Sequence, residues 1–188
     1  MVRRRRRDLR PLPERLSAAV VLVAGAIASG CGSSGSSHPE PLAKRLCTSA
    51  QRAAAGALRV KTTVRITSAD PADVRCRVAG GGIVLAVEAQ TSGQAWVEFD
   101  TTQVHFAQVF GPSSVHNSSE LPQNVTGVGP QAFWVAAQRE LVTTDAQEGK
   151  QGTYVTVTVT RHRRGAPPSL RIASVLARAA LAASPAPG

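Results

Sequence analysis

The chain has 188 residues, 43% of them hydrophobic and only 4% aromatic, with a formal net charge of +10. That length admits one domain with a real core and excludes a pair of large ones. So basic a chain would suggest a nucleic-acid partner, but half of the charge sits in the first 30 residues, where seven Arg stand against Asp8 and Glu14, which weakens that reading; the rest is a mildly basic exterior suited to anionic headgroups, and no nucleic-acid partner is expected.

The order along the first 31 residues is positive, apolar, small, then Cys. Arg3 to Arg7 form an unbroken basic block, followed by Arg10 and Arg15. Such a block stays on the cytoplasmic side of a membrane. The apolar run from Leu16 lasts roughly 15 residues, short of the ~20 a spanning helix needs, so it is expected to be a signal-peptide core. Ala28-Ser29-Gly30-Cys31 resembles the lipobox of bacterial lipoproteins, although Ala28 stands where Leu is usual. The resemblance implies that the Cys31 thiol becomes a thioether to diacylglycerol, that residues 1–30 are cut away, and that the new amino group takes an acyl chain such as palmitate. One chain holds a protein only marginally, whereas two anchor it stably. A plain secretory peptide cut near Ser29 is the alternative. Arg6-Arg7-Asp8-Leu9 hints at twin-arginine export, but Arg10 follows where an apolar residue belongs, so the export route stays open.

Residues 31–40 are Gly/Ser-rich and expected to form a flexible tether. From Pro41 the pattern is helical, with Leu42, Leu46, Ala50, Ala53 and Ala57 on one stripe. Val60, Thr62, Val64 and Ile66 then alternate with polar residues, which predicts a half-buried strand. Residues 68–73 form a turn, Val74 to Ala79 a second strand with Cys76 facing the first helix, Gly80-Gly81-Gly82 a tight connection, and Ile83 to Gln90 a third strand. Residues 93–110 return to helical period, with Trp96, Phe99, Gln103, Phe106 and Phe110 at spacings of 3, 4, 3 and 4. That stripe either packs the helix onto a sheet or lines an apolar ligand groove made of Trp96, Phe99, Phe106 and Phe110. Residues 111–131 are an irregular stretch of the kind that carries function.

Strands resume at Ala132–Val135 and Arg139–Thr144. Tyr154 to Thr160 alternates cleanly, with Val155, Val157 and Val159 on one face and Tyr154, Thr156 and Thr158 on the other. Arg161-His162-Arg163-Arg164 is a basic loop, and Arg161, Arg163 and Arg164 are candidates for binding an anionic surface. Pro167-Pro168-Ser169 opens a last helix with Ser169 as its N-cap. Leu170, Ala173, Leu176, Ala177, Ala180 and Leu181 are its expected buried face, and residues 184–188 are a tail expected to be disordered. The expected architecture is one α+β domain over 41–183, an antiparallel sheet flanked by helices in the order α-β-β-β-α-β-β-β-α.

The chain has three cysteines. With Cys31 carrying lipid, Cys47 and Cys76 are left to pair in an oxidising compartment. Closing a loop of about 30 residues contributes roughly 3.6 kcal/mol in the chain-entropy account. Two buried free thiols are the alternative.

No metal constellation is visible: His38, His105, His116 and His162 lie far apart and make no helical ligand pair. There is no nucleophile elbow and no phosphate-cradling loop. Glu98 and Asp100 are two residues apart and cannot share a helical face. No catalytic residues, metal or cofactor are therefore expected, and the chain is not expected to be an enzyme.

The mature part resembles the small actinobacterial lipoproteins of unknown function whose domains are described as PsbP-like. The features that carry the likeness are the Cys31 anchor, Cys47 in the first helix, Cys76 ahead of a Gly-rich turn, Val125-Thr126-Gly127-Val128-Gly129-Pro130-Gln131-Ala132 before a strand, and the closing Ala/Leu helix. The likeness implies a PsbP-like fold and a place on the extracytoplasmic face of the cell membrane. The expected function is that of a non-catalytic binding or accessory module of the envelope, whose partner is another envelope protein or a small apolar ligand. A lipid-anchored hydrolase or transferase with a scattered active site is the alternative.

Overall fold

The computed structural model describes residues 41–109 and 121–186. Cys31, the leader, the whole of the 31–40 tether and Phe110 lie outside them. The chain runs α1 (Leu42–Leu58), β1 (Thr63–Asp70), β2 (Asp73–Gly80), β3 (Ile83–Ser92), α2 (Ala95–Val109), β4 (Gln123–Asn124), β5 (Gln131–Val135), β6 (Glu140–Thr144), β7 (Gly152–Arg161) and α3 (Ser169–Ala183). The strands form one seven-stranded antiparallel sheet in the order β1-β2-β3-β7-β6-β5-β4. The expected α+β class holds. One strand more is present than the sequence pattern predicts, because the two-residue β4 pairs with Phe133 and Trp134 inside the stretch read as irregular.

Period-two alternation decides both faces. Val74, Cys76 and Val78 of β2, Leu85 and Val87 of β3, and Val155, Val157 and Val159 of β7 point to one side. There they meet Leu46, Cys47, Ala50 and Ala54 of α1, and Ile172, Ala173, Leu176, Ala177 and Ala180 of α3. The small residues on both helix stripes let α1 and α3 lie close. Ser49 donates to the Ala179 carbonyl at 3.0 Å and Arg45 Nε to the Ala183 carbonyl at 2.8 Å, so the two helices run antiparallel. Among the described residues the opposite side of the sheet is covered by α2, which lies over β6 and β7.

Several boundaries differ from expectation for identifiable reasons. The first strand begins at Thr63 rather than Val60: Arg59 closes α1 in the left-handed region at φ 53°, and the linker is tied back by reciprocal bonds between Gln51 and Thr62. Val60 is thereby left 38% exposed, and Ile66, on the sheet's edge strand beside a register shift, 41% exposed. Strand β1 continues to Asp70, whose Oδ1 accepts from the Ala72 amide at 2.9 Å and makes the turn itself. Ser169 is the first residue of α3 and not its cap; Pro168 holds that place without a side-chain bond, because Pro presets the entry dihedral. Ile172 joins the buried face of α3, while Leu170 and Leu181 are only half-buried. Ser184, expected in a loose tail, caps α3 through bonds to Leu181 and Ala180.

Candidate functional site

Helix α2 reaches the sheet through an aromatic cluster and two polar contacts, one of them a 3.4 Å bond from Gln103 Nε2 to Asn124 Oδ1 of β4. Thr102 Oγ1 donates to the Glu98 carbonyl at 2.7 Å and lies 3.2 Å from the Tyr154 hydroxyl of β7. Phe99 and Phe106 pack on the fully buried Phe133, with ring centroids 5.2 and 6.1 Å apart. Val135 and Val142 complete this small second core.

On the β3 side of that contact the helix overhangs a cavity of about 550 Å³. Its lining is rich in acceptors: the carboxylates Glu88, Glu98 and Glu140, the amide of Gln90, and the hydroxyls of Thr102, Tyr154, Thr156 and Thr158. The sheet register assembles it, since Glu88 pairs with Thr156 across β3–β7 and Glu140 with Thr158 across β6–β7. Outward positions of three strands thus meet under one helix.

The carboxyls differ in their surroundings. Glu88 Oε1 accepts from Gln90 at 2.8 Å and ion-pairs with Arg75 Nη2 at 3.0 Å, while Arg75 Nε also holds Asp73 at 3.0 Å. Burial pushes the Glu140 carboxyl up; a 3.4 Å bond from Thr158 opposes this and the charge of Glu88 adds to it. Burial also pushes the Tyr154 phenol up, against the hydrogen bonds from Thr102 and Thr156. Glu98 Oε2 is buried without a hydrogen-bond partner among the described residues.

The residues singled out in the sequence are distributed rather than gathered. Trp96 and Phe99 border a separate cavity of about 470 Å³ whose lining also includes Asp100 and Gln103 of the same helix and Asn124 and Gln131 of β4 and β5. Phe99 and Phe106 chiefly fill the second core. Glu98 faces the acceptor-rich cavity while Asp100 faces the other one, so their two-residue spacing does separate them. Arg161, Arg163 and Arg164 are exposed, and the last two edge a cavity of about 410 Å³ at the other end of β3. Cys47 and Cys76 are both buried between α1 and β2 and lie 2.6 Å apart.

Glu88, Glu140 and Tyr154 were not picked out from the sequence. The available signal is that all three occupy outward positions of strands, but only the non-local pairing of β3 with β7 brings them together. Among the described residues no group of three metal-ligating side chains occurs, and no helix is long and apolar enough to cross a membrane. Neither a family model, nor a curated protein, nor a solved structure matches the chain.

Proposed function

We propose that the chain is an extracytoplasmic lipoprotein, anchored through Cys31, whose PsbP-like domain is a non-catalytic binding module of the cell envelope, with its ligand site under α2. The leader pattern and the lipobox-like Ala28-Ser29-Gly30-Cys31 support the address. A Cys47–Cys76 disulfide is part of the proposal, supported by two buried sulfurs already in contact and by the oxidising compartment that the address implies.

The observation that carries the binding role is the cavity under α2, in which carboxylates and hydroxyls converge while Glu98 Oε2 has no hydrogen-bond partner among the described residues. A buried acceptor without a donor is costly, and a ligand bearing hydroxyl or ammonium groups supplies one. The ligand favoured here is polar and donor-rich, an amino sugar or polyol of the envelope, in place of the small apolar molecule expected from the aromatic stripe. Titration of the purified chain with amine-bearing envelope glycan fragments tests this. Saturable binding is expected, weakened about tenfold or more by Glu98→Gln, in keeping with the loss of a charge-assisted hydrogen bond. Unchanged binding in that variant, or none in the wild type, rejects the site.

One observation favours a second reading. Glu88 is ion-paired with Arg75 while burial pushes Glu140 up, so two carboxyls in one cavity occupy different environments. That division is how one site holds both a base and an acid. Mass spectrometry of the fragments after incubation separates the readings: a hydrolase shortens them and Glu140→Gln stops it, whereas a binding module returns them intact.

A further inference from the structure

We propose that the cavity at the Gly81–Gly82 end of the sheet is a second site, built for an anionic amphiphile: a phosphate group carrying an apolar chain. The cavity lies between the end of α1, the β2–β3 turn and the loop into α3, and its volume of about 410 Å³ falls in the range of small-molecule sites. Its wall is apolar, formed by Leu58, Val60, Ile83 and Pro167. Its edge carries Arg163 and Arg164. The two halves match the two halves of such a ligand, the guanidinium forks suiting phosphate oxygens and the wall suiting a hydrocarbon.

The site is built rather than incidental. The Ala166 amide donates to the Arg163 carbonyl at 3.1 Å, and His162 Nε2 lies 2.9 Å from the Pro167 carbonyl, so the basic loop is tied into a turn. Gly82, at φ 79°, passes beneath it; a Cβ there would meet Arg163 Cδ at 3.3 Å. The turn therefore gives the arginine stem a bed. Among the described residues, Arg163 and Arg164 have no acidic partner. Helix α3 follows this loop with no acid in its first turn, so its start adds no negative charge beside the arginines. Asp70, Asp73, Asp145 and Glu148 all lie in or beside the turns at the opposite end of the sheet. Val60, 38% exposed, is a large apolar side chain set beside uncompensated cations.

Native mass spectrometry of the full chain released from neutral detergent tests the site, with octyl phosphate, inorganic phosphate and phosphatidylglycerol as separate probes. Octyl phosphate is expected to be retained at least tenfold more tightly than inorganic phosphate. Arg163→Ala with Arg164→Ala is expected to lower its retention by about a hundredfold, in line with two charge-assisted contacts. Val60→Asp, at an exposed position, lowers it too, while Glu98→Gln in the α2 cavity leaves it unchanged. The two sites can therefore fail independently. Retained phosphatidylglycerol assigns the site to a membrane lipid, and retention of octyl phosphate alone assigns it to a soluble phosphate-headed chain; either supports the proposal. Equal retention of inorganic and octyl phosphate, or undiminished retention by the double variant, overturns it.

Discussion

The Tyr154 hydroxyl of β7 and Thr102 Oγ1 of α2 meet at 3.2 Å, and this contact separates the aromatic second core from the acceptor-rich cavity. Tyr154 belongs to both, packing against Phe99 and its neighbours while its oxygen reaches the cavity. Tyr154→Phe keeps the ring and removes the bond. A loss of about 1 kcal/mol is expected, typical of one hydrogen bond, with faster amide exchange confined to α2. Urea unfolding and hydrogen exchange read the two effects, and unchanged exchange in α2 would show that the contact does not hold the helix.

The raised Glu140 carboxyl has a consequence for stability. Burial disfavours its ionised form, so the folded chain binds that proton more tightly than the unfolded chain does. Any stability linked to this group is complete below the ordinary carboxylate value of 4.5 and is lost as pH rises through the higher folded value. Glu140→Gln removes the titration. The variant is expected to match the wild type near pH 4 and to exceed it in Tm at neutral pH. A Tm difference independent of pH would contradict the assignment.

Much of this architecture is legible in the chain because it rests on short-range periodicity. Val155, Val157 and Val159 alternate with Tyr154, Thr156 and Thr158, and the two sets do face opposite sides of the sheet. The helix stripes are legible in part for the same reason: in α1, Leu46 and Ala50 are buried as expected, but Ala43, Cys47 and Ala54 are buried where Leu42, Ala53 and Ala57 were expected, and those three are half-buried. The candidate site is not, because β3 and β7 are neighbours in space with α2 and three strands between them in sequence. Nothing local to Glu88 says that Thr156 lies beside it. The exposure of Ile66 is equally non-local: its alternation is that of a buried position, but its strand ends the sheet.

The proposed Cys47–Cys76 bond makes a mass prediction. The protein purified from an oxidising compartment should be 2 Da lighter than its dithiol form, and iodoacetamide under denaturing conditions should leave both positions unmodified until a reductant is added. Reduction is expected to lower stability by about 3–4 kcal/mol, from the entropy returned to a loop of about 30 residues. Full alkylation without reductant would leave two buried thiols instead.

Gly152 opens β7 where the β6–β7 connection turns back, and it is buried against Ala146. A Cβ at Gly152 would come within 2.5 Å of Ala146 Cα and Cβ. The obstacle is backbone and a methyl group that cannot rotate away, so the connection itself must move. Four bonds resist that movement: the Asp145 carboxylate accepts the Thr153 amide at 2.6 Å, the Asp145 amide donates to the Thr153 carbonyl at 3.2 Å, Thr144 Oγ1 donates to that carbonyl at 3.0 Å, and the same hydroxyl oxygen accepts the Ala146 amide at 3.0 Å. Gly152→Ala is therefore expected to destabilise by about 1–3 kcal/mol, the usual effect of overpacking. Gly149→Ala is the control: it sits at φ 73° in the same connection with open space around its Cβ position, so its effect comes from backbone strain alone. Denaturant midpoints for the two variants separate the causes. Adding Ala146→Gly to Gly152→Ala should recover part of the loss if the clash is its origin, and no recovery would place the origin elsewhere.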